Sequence, residues 1–316
     1  MLAYEANHHD DKRIELFVGR PEPDGFSQVT LGARAGGALL EGFATTSVAG
    51  RVMHELAWAP KAPGIFAFTA INEQRDYDLY VSEGVPLAPA PGADGGPSWS
   101  PDGNYLAFTS ARTGQGDLYL LDVNAIDAPP RRLTDDPTHS ELFPTWSADS
   151  ELLVYVGHAD DGDHLWLLDG FEGPAVPLTH FRGLQIRPRF APSGRMLAFY
   201  ANQEDPERFD LYVVEAAPGA VAVKLVEGVV VDSQGPSFTP DGQRLVYVAD
   251  DDAAFDPIRM VPASGGAPVT VALDTVGHGD LAVTERGGQT YLAYVAQGRR
   301  DDAVRDYKRL FLTPLP

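Results

Sequence analysis

Eight histidines and a scatter of carboxylates hold most of the chemistry open to this 316-residue chain. It has no cysteine, which removes thiolate nucleophiles, thiolate metal sites and disulfides together. His54 is followed directly by Glu55, while His139 and His278 are each followed two residues on by an acid, Glu141 and Asp280. Imidazole and carboxylate groups gathered in a concave site can hold a divalent metal. His180, Gln185, Arg187, Asp232 and Gln234 stand in comparable stretches, and a guanidinium among carboxylates can orient an anionic ligand. Two acid runs, Asp160, Asp161 and Asp163, then Asp250, Asp251, Asp252 and Asp256, lack the full spacing of a calcium hand and read as solvated hairpins. No G-x-S-x-G elbow is present to seat a catalytic serine.

Whether those groups meet depends on the elements that carry them, and those elements repeat. PSWSPDGNYLAFTS begins at Pro97, PTWSADSELLVYVG at Pro144, PRFAPSGRMLAFYA at Pro188 and PSFTPDGQRLVYVA at Pro236. Each is followed by a second apolar segment, at Asp117, His164, Asp210 and Pro257 respectively; a looser copy surrounds Trp58, and the most degenerate one covers Leu281 to the end. The anchors Trp58, Trp99, Trp146, Phe190, Phe238 and Val283 lie 41, 47, 44, 48 and 45 residues apart, the size of one four-stranded propeller blade. In each unit an inner strand A holds the anchor, and a Pro-Asp-Gly type turn reverses the chain into strand B. Strand C and a short outer strand D follow, the latter near Leu133, Leu178 or Leu225. The expected fold is therefore an all-β propeller of four-stranded antiparallel blades, forming a single domain over residues 1–316.

This repeat resembles that of TolB-like propellers, whose signature is close to P-x-W-S-P-D-G, then a strand ending Ala-Phe and another reading Leu-Tyr-Val. The resemblance covers essentially the whole chain and is specific for fold, but one architecture serves binding and catalysis alike. The prolyl-oligopeptidase family has similar propellers, yet no residues remain here for a hydrolase domain. A likeness to oligogalacturonate lyases, propellers with histidine metal ligands, implies a second reading: a metal-dependent lyase or hydrolase acting on an acidic sugar. Its candidate ligands are His139, His180, Gln185 and His278.

MLAYEANHHDDKRIELFV, from Met1, aligns without a gap to MLAFYANQEDPERFDLYV, from Met196. The chain is thus expected to open at strand B of a first blade that lacks its inner strand. Seven B–C units give seven blades, with six as the alternative. In a propeller the D-to-A and B-to-C connections share one face. That scheme assigns His8, His9, His158 and His164 to B–C loops and His54, His139, His180 and His278 to D–A connections. All eight then fall on the channel-mouth face, although long polar loops collect histidines by default.

Acidic side chains outnumber basic ones 45 to 24, for a net charge of −21, which repels phosphate backbones and argues against nucleic acid as a partner. No apolar run approaches the roughly 20 residues of a membrane-spanning helix, and the first residues lack the order of a signal peptide. The sequence as it stands reads as soluble and cytoplasmic; an upstream segment carrying a signal peptide would make it periplasmic or secreted. With no catalytic constellation identifiable, the leading expectation is a non-catalytic binding or scaffolding propeller without a cofactor, presenting its histidine-rich face to a protein, peptide or small ligand. The channel-mouth candidates are His54, Glu55, His139, Glu141, His180, Gln185, Arg187, Asp232, Gln234, His278 and Asp280.

Overall fold

The computed structural model describes residues 2–6, 15–22, 25–30, 53–62, 65–72, 76–82, 85–137, 140–159, 162–232, 234–251, 256–272, 275–276, 279–296, 298–299 and 309–316. Among them every regular element is a strand except one 3-10 turn at Val123–Ala125. The chain divides into two compact units, Met1–Leu142 and Phe143–Pro316.

The first unit contains three antiparallel sheets. Leu2–Ala6, Glu15–Glu22 and Gly25–Thr30 form a three-stranded meander, as do Met53–Trp58, Phe66–Ile71 and Tyr77–Val81. Asp94–Trp99, Tyr105–Ser110, Asp117–Asp122 and Arg131–Arg132 make a complete A–B–C–D blade. The second unit begins inside the strand Glu141–Trp146, which opens a blade with Leu152–Ala159, Gly162–Asp169 and Val176–Pro177. At the end of the chain Gly279–Arg286, Gln289–Ala296 and Arg309–Pro314 form a three-stranded sheet.

In the sheets whose side chains are described, strand B is buried on both faces because it lies in the middle of a stack. Leu106 and Phe108 pack with Ala67 and Leu79 of the preceding sheet in the first unit. In the second, Leu197, Phe199 and Tyr212 meet Leu152, Val154 and Leu165, and the other face of the same sheet carries Ala198 and Tyr200 toward Leu245 and Tyr247. Side chains of differing size on the facing surfaces interdigitate, so that successive sheets nest at close-packed density.

The A–B turns share one hydrogen-bond pattern. The Ser100 hydroxyl donates to Asp102 Oδ1 (2.6 Å) and accepts from the Tyr105 amide (2.9 Å). Thr239 repeats this with Asp241 and Arg244, and Ser147 with Asp149 and Leu152. The residue after the aspartate is left-handed, with φ of 72° at Gly103 and 70° at Gly242, but in the third copy it is Ser150, at φ 64°. A side chain there crowds its own backbone, whereas glycine does not. Ser150→Gly should therefore shift the denaturation midpoint upward, by up to about 1 kcal/mol of stability. A downward shift would mean that the serine's own contacts outweigh the strain.

One blade departs from the expected pattern of separate sheets. Val223–Val230, the outer strand after Gln185–Phe190, Met196–Asp205 and Arg208–Glu215, runs on to pair Val229 with Ala249 and Val230 with Val248 of the next strand B, fusing two blades into one eight-stranded sheet. The cause lies in the next inner strand, which is reduced to Ser237–Phe238. Asp232 folds the preceding segment into a turn by accepting from the Gln234 amide (2.8 Å), Gly235 is left-handed and Pro236 has no N–H. The edge of Arg244–Ala249 left open by that short strand is taken by Val229 and Val230.

Candidate functional site

The inner strands carry a second repeated device, which the sequence pattern hides. Three residues before each anchor the backbone turns left-handed: Glu55 (φ 54°), Gly96 (57°), Phe143 (53°), Arg187 (54°), Gly235 (87°) and Asp280 (53°). Pairing with strand B shifts register there, between His54 and Ala57, Gly95 and Ser98, Ile186 and Arg189, and Gly279 and Ala282. This is a β-bulge, an extra residue that bends the strand and re-aims the side chains beside it.

Residues at the start of the inner strand point into the fold. Glu141 is buried; its carboxylate accepts from Thr134 Oγ1 (2.9 Å), and that hydroxyl in turn accepts from the Leu118 amide (2.8 Å). Gln185 repeats the arrangement with Thr179, which accepts from the Leu165 amide (2.9 Å). Its amide nitrogen donates to the Phe181 carbonyl (2.9 Å) and lies 3.4 Å from His164 Nδ1. A Leu-Thr pair closing strand D thus clasps the opening acid or amide of the next inner strand. Burial pushes the Glu141 carboxyl up to about 7, against the hydrogen bond from Thr134. Burial likewise raises Asp94 to about 6, opposed by Ser110 and by Arg112, whose Nη2 lies 3.3 Å from the carboxylate.

Glu55, at the bulge itself, reaches along the inner edge to accept from the Gly96 amide (2.6 Å), linking two successive inner strands. His54 lies in the strand Met53–Trp58, with its side chain outside the described residues, as are His8, His9, His139 and His278 in full. Of the other histidines, His180 is exposed, His164 is half-buried beside Gln185, and His158 is exposed and paired through Nδ1 with Asp163. Among the described residues no three His, Asp or Glu side chains converge in a way that could hold a metal ion. Asp251 is held by both Nη groups of Arg259, while Asp160, Asp161 and Asp252 fall outside the described residues.

Arg187, Asp232, Gln234 and Asp280 belong to one neighbourhood in the second unit. The Arg187 guanidinium stacks 4.1 Å from the centre of the Phe143 ring. Asp232 is buried and accepts from the amides of Leu281 (3.1 Å) and Gln234 (2.8 Å). Burial raises its carboxyl to about 6; those amides and the charge of Arg189 oppose the shift, and the charge of Asp280 adds to it.

Two members of this neighbourhood are absent from the sequence-based set. Arg189 donates through Nε to the Gln234 carbonyl (2.5 Å), and Tyr200, fully buried, is close enough to Asp232 for that carboxylate to help burial hold its phenol protonated. A signal for both was present. Arg189 fills the position occupied by Ser98, Thr145 and Ser237 in other copies, and Tyr200 that of Thr69, Thr109, Val248 and Val295. A repeat that breaks its own rule at two adjacent positions of one blade marks a place where something other than packing sets the residue.

Stacked antiparallel sheets with bulged inner strands define the chain as a β-propeller protein. Within that class its sequence and fold are similar to those of TolB proteins. No family model matches it. The chain is 32% identical over 158 residues to the uncharacterized protein Atu1656 of Agrobacterium fabrum, a match covering 45% of this chain and 52% of that one. It is 27% identical over 197 residues to the uncharacterized peptidase YuxL of Bacillus subtilis, covering 58% and 28% of the two chains. With the Tol-Pal system protein TolB of Francisella tularensis the identity is 24% over 121 residues, covering 37% and 27%. The chain thus spans between about a quarter and a half of the length of these relatives. Among solved structures, TolB from Acinetobacter baumannii superposes with a TM-score of 0.60 at 19% identity, covering 83% of this chain and 61% of that one. An oligogalacturonate lyase in complex with manganese gives 0.62 at 14% identity and covers 96% of both chains. Likeness at such identities establishes the fold and leaves activity to the site. No helix among the described residues is long and apolar enough to cross a membrane.

Proposed function

We propose that this protein is a non-catalytic binding propeller, and that its ligand, a protein segment, peptide or small molecule, is engaged at the inner-strand neighbourhood of Arg187, Arg189, Asp232, Gln234 and Asp280. The observation that carries this reading is the concentration of Arg189 and Tyr200 in one blade, at positions that other copies fill with small residues. The buried acids elsewhere support it, since Asp94 and Glu141 are engaged by Arg112 and Thr134 in contacts that tie the fold together. The Tol-Pal system relatives fit a protein partner, and His54, Glu55, His139, His180 and His278 are kept as further candidate ligand contacts.

A second reading, metal-dependent cleavage of an acidic sugar, is favoured by the extent of the likeness to the manganese-bound lyase. Of its candidate ligands, Gln185 is committed to Thr179 and Phe181, and His180 is exposed. Incubating the purified protein with trigalacturonate, with and without Mn2+, separates the two readings. The binding reading expects the trisaccharide back intact, by mass spectrometry, in both arms. Manganese-dependent shorter products that disappear in His180→Ala would replace it with the lyase.

A further inference from the structure

Asp117 and Asp210 hold the same place at the head of strand C in their two blades, each followed by Leu-Tyr. Both carboxylates are buried, so each needs partners for two oxygens. At Asp210 both are provided for: Oδ1 accepts from the Gly228 amide (2.9 Å), and Oδ2 lies 3.5 Å from Lys224 Nζ. Lys224 stands opposite Tyr212 on strand D. Arg132 stands opposite Tyr119 in the same way, and its Nη2 meets Asp117 Oδ2 at 2.7 Å.

There the likeness stops. Asp117 Oδ2 also accepts from the Thr113 hydroxyl (2.5 Å), but Oδ1 has no hydrogen-bond partner among the described residues. No amide reaches it as Gly228 reaches Asp210, because the segment after Arg132 places Thr134 on the Leu118 amide (2.8 Å) and on Glu141 (2.9 Å). Arg132 Nε is buried and unpartnered as well. The guanidinium bonds through Nη2 alone, to Asp117 and to Asp135 (2.8 Å), and does not form the two-bond fork that arginine and a carboxylate can make.

Two buried atoms of one ion pair therefore lack partners, and they are of opposite kinds. A cation would suit Oδ1 and be repelled by the guanidinium; an anion would suit Nε and be repelled by the carboxylate. Only a group that accepts and donates at once serves both, and a hydroxyl does so. With Asp117 fully buried, that group has to be small, and water is held inside proteins where it can bond at least two polar groups.

We propose that a single resident water molecule is bound between Asp117 Oδ1 and Arg132 Nε, accepting from the guanidinium and donating to the carboxylate. It takes the place that the Gly228 amide fills at Asp210. The bridge completes the hold of strand C on a strand D only two residues long, Arg131–Arg132, just ahead of the Thr134–Glu141 clasp.

A high-resolution crystal structure of the intact protein tests this directly. The expected result is a density peak at hydrogen-bond distance, about 2.7–3.2 Å, from both atoms. Direct contact of Nε with Oδ1 and no peak between them would overturn the proposal, as would a peak within about 2.4 Å of Oδ1, the spacing of a bound metal cation. In solution, oxygen-17 magnetic relaxation dispersion counts long-lived internal waters. R132K removes the Nε donor while keeping the ammonium that Asp210 meets in its own blade, and it should hold one such water fewer than the wild type. An unchanged count in R132K with a wild-type circular dichroism spectrum would also overturn the proposal; should R132K not fold, the density in the wild type decides.

Discussion

Trp146→Ala should lower the stability of the protein by about 3–5 kcal/mol, the range for removing a buried large aromatic side chain. Trp146 closes the inner strand Glu141–Trp146, is only 5% exposed, and meets Phe171 edge-on with ring centres 5.6 Å apart. Its neighbours on the strand, Thr145 and Ser147, are buried too, so the backbone cannot easily collapse into the space an indole leaves. Because the anchor also fixes the start of the turn in which Ser147 bonds Asp149 and Leu152, the loss extends to that reversal. Urea or guanidinium denaturation followed by far-UV circular dichroism measures it. A change below about 1 kcal/mol would show that the indole carries little of the packing assigned to it.

The second large effect depends on pH. Glu141 titrates near 7 in the folded chain, against 4.5 for an unperturbed glutamate, so the folded state holds its proton longer than the unfolded state does. The stability this contributes is complete below about pH 4.5 and is lost as the pH rises through about 7. Asp94 and Asp232, both raised to about 6, act with the same sign, so these three groups together make the protein less stable at pH 8 than at pH 5. Glu141→Gln removes the ionisation and keeps an oxygen for Thr134 to bond, as Gln185 does for Thr179 one blade further on. The variant should gain roughly 2–3 kcal/mol over the wild type at pH 8 and little at pH 4.5. Denaturation midpoints at the two pH values read this difference directly. An equal offset at both would mean that folding leaves the Glu141 pKa unshifted.

The spacing of Trp58, Trp99, Trp146, Phe190 and Phe238, with the Pro-Asp-Gly turns after the anchors, by itself determined the propeller class and the order of strands within each blade. These features are local: a turn is specified by the few residues that form it, and strand faces by alternation along a short segment. Arg187, Asp232, Gln234 and Asp280 are among the eleven channel-mouth candidates that the sequence offers. What it left undecided was the direction of side chains beside the anchors, because alternation assumes an unbroken strand. The left-handed residue at Glu55, Gly96, Arg187 and Asp280 adds one position to its inner strand and reverses the parity of the residues before it. Glu141 and Gln185, two residues before the left-handed Phe143 and Arg187, bond Thr134 and Thr179. Only the tertiary structure could place Arg189 and Tyr200 beside Asp232, since that meeting depends on the turn that shortens the inner strand to Ser237–Phe238 and on packing across two blades. No periodicity within one repeat carries that information.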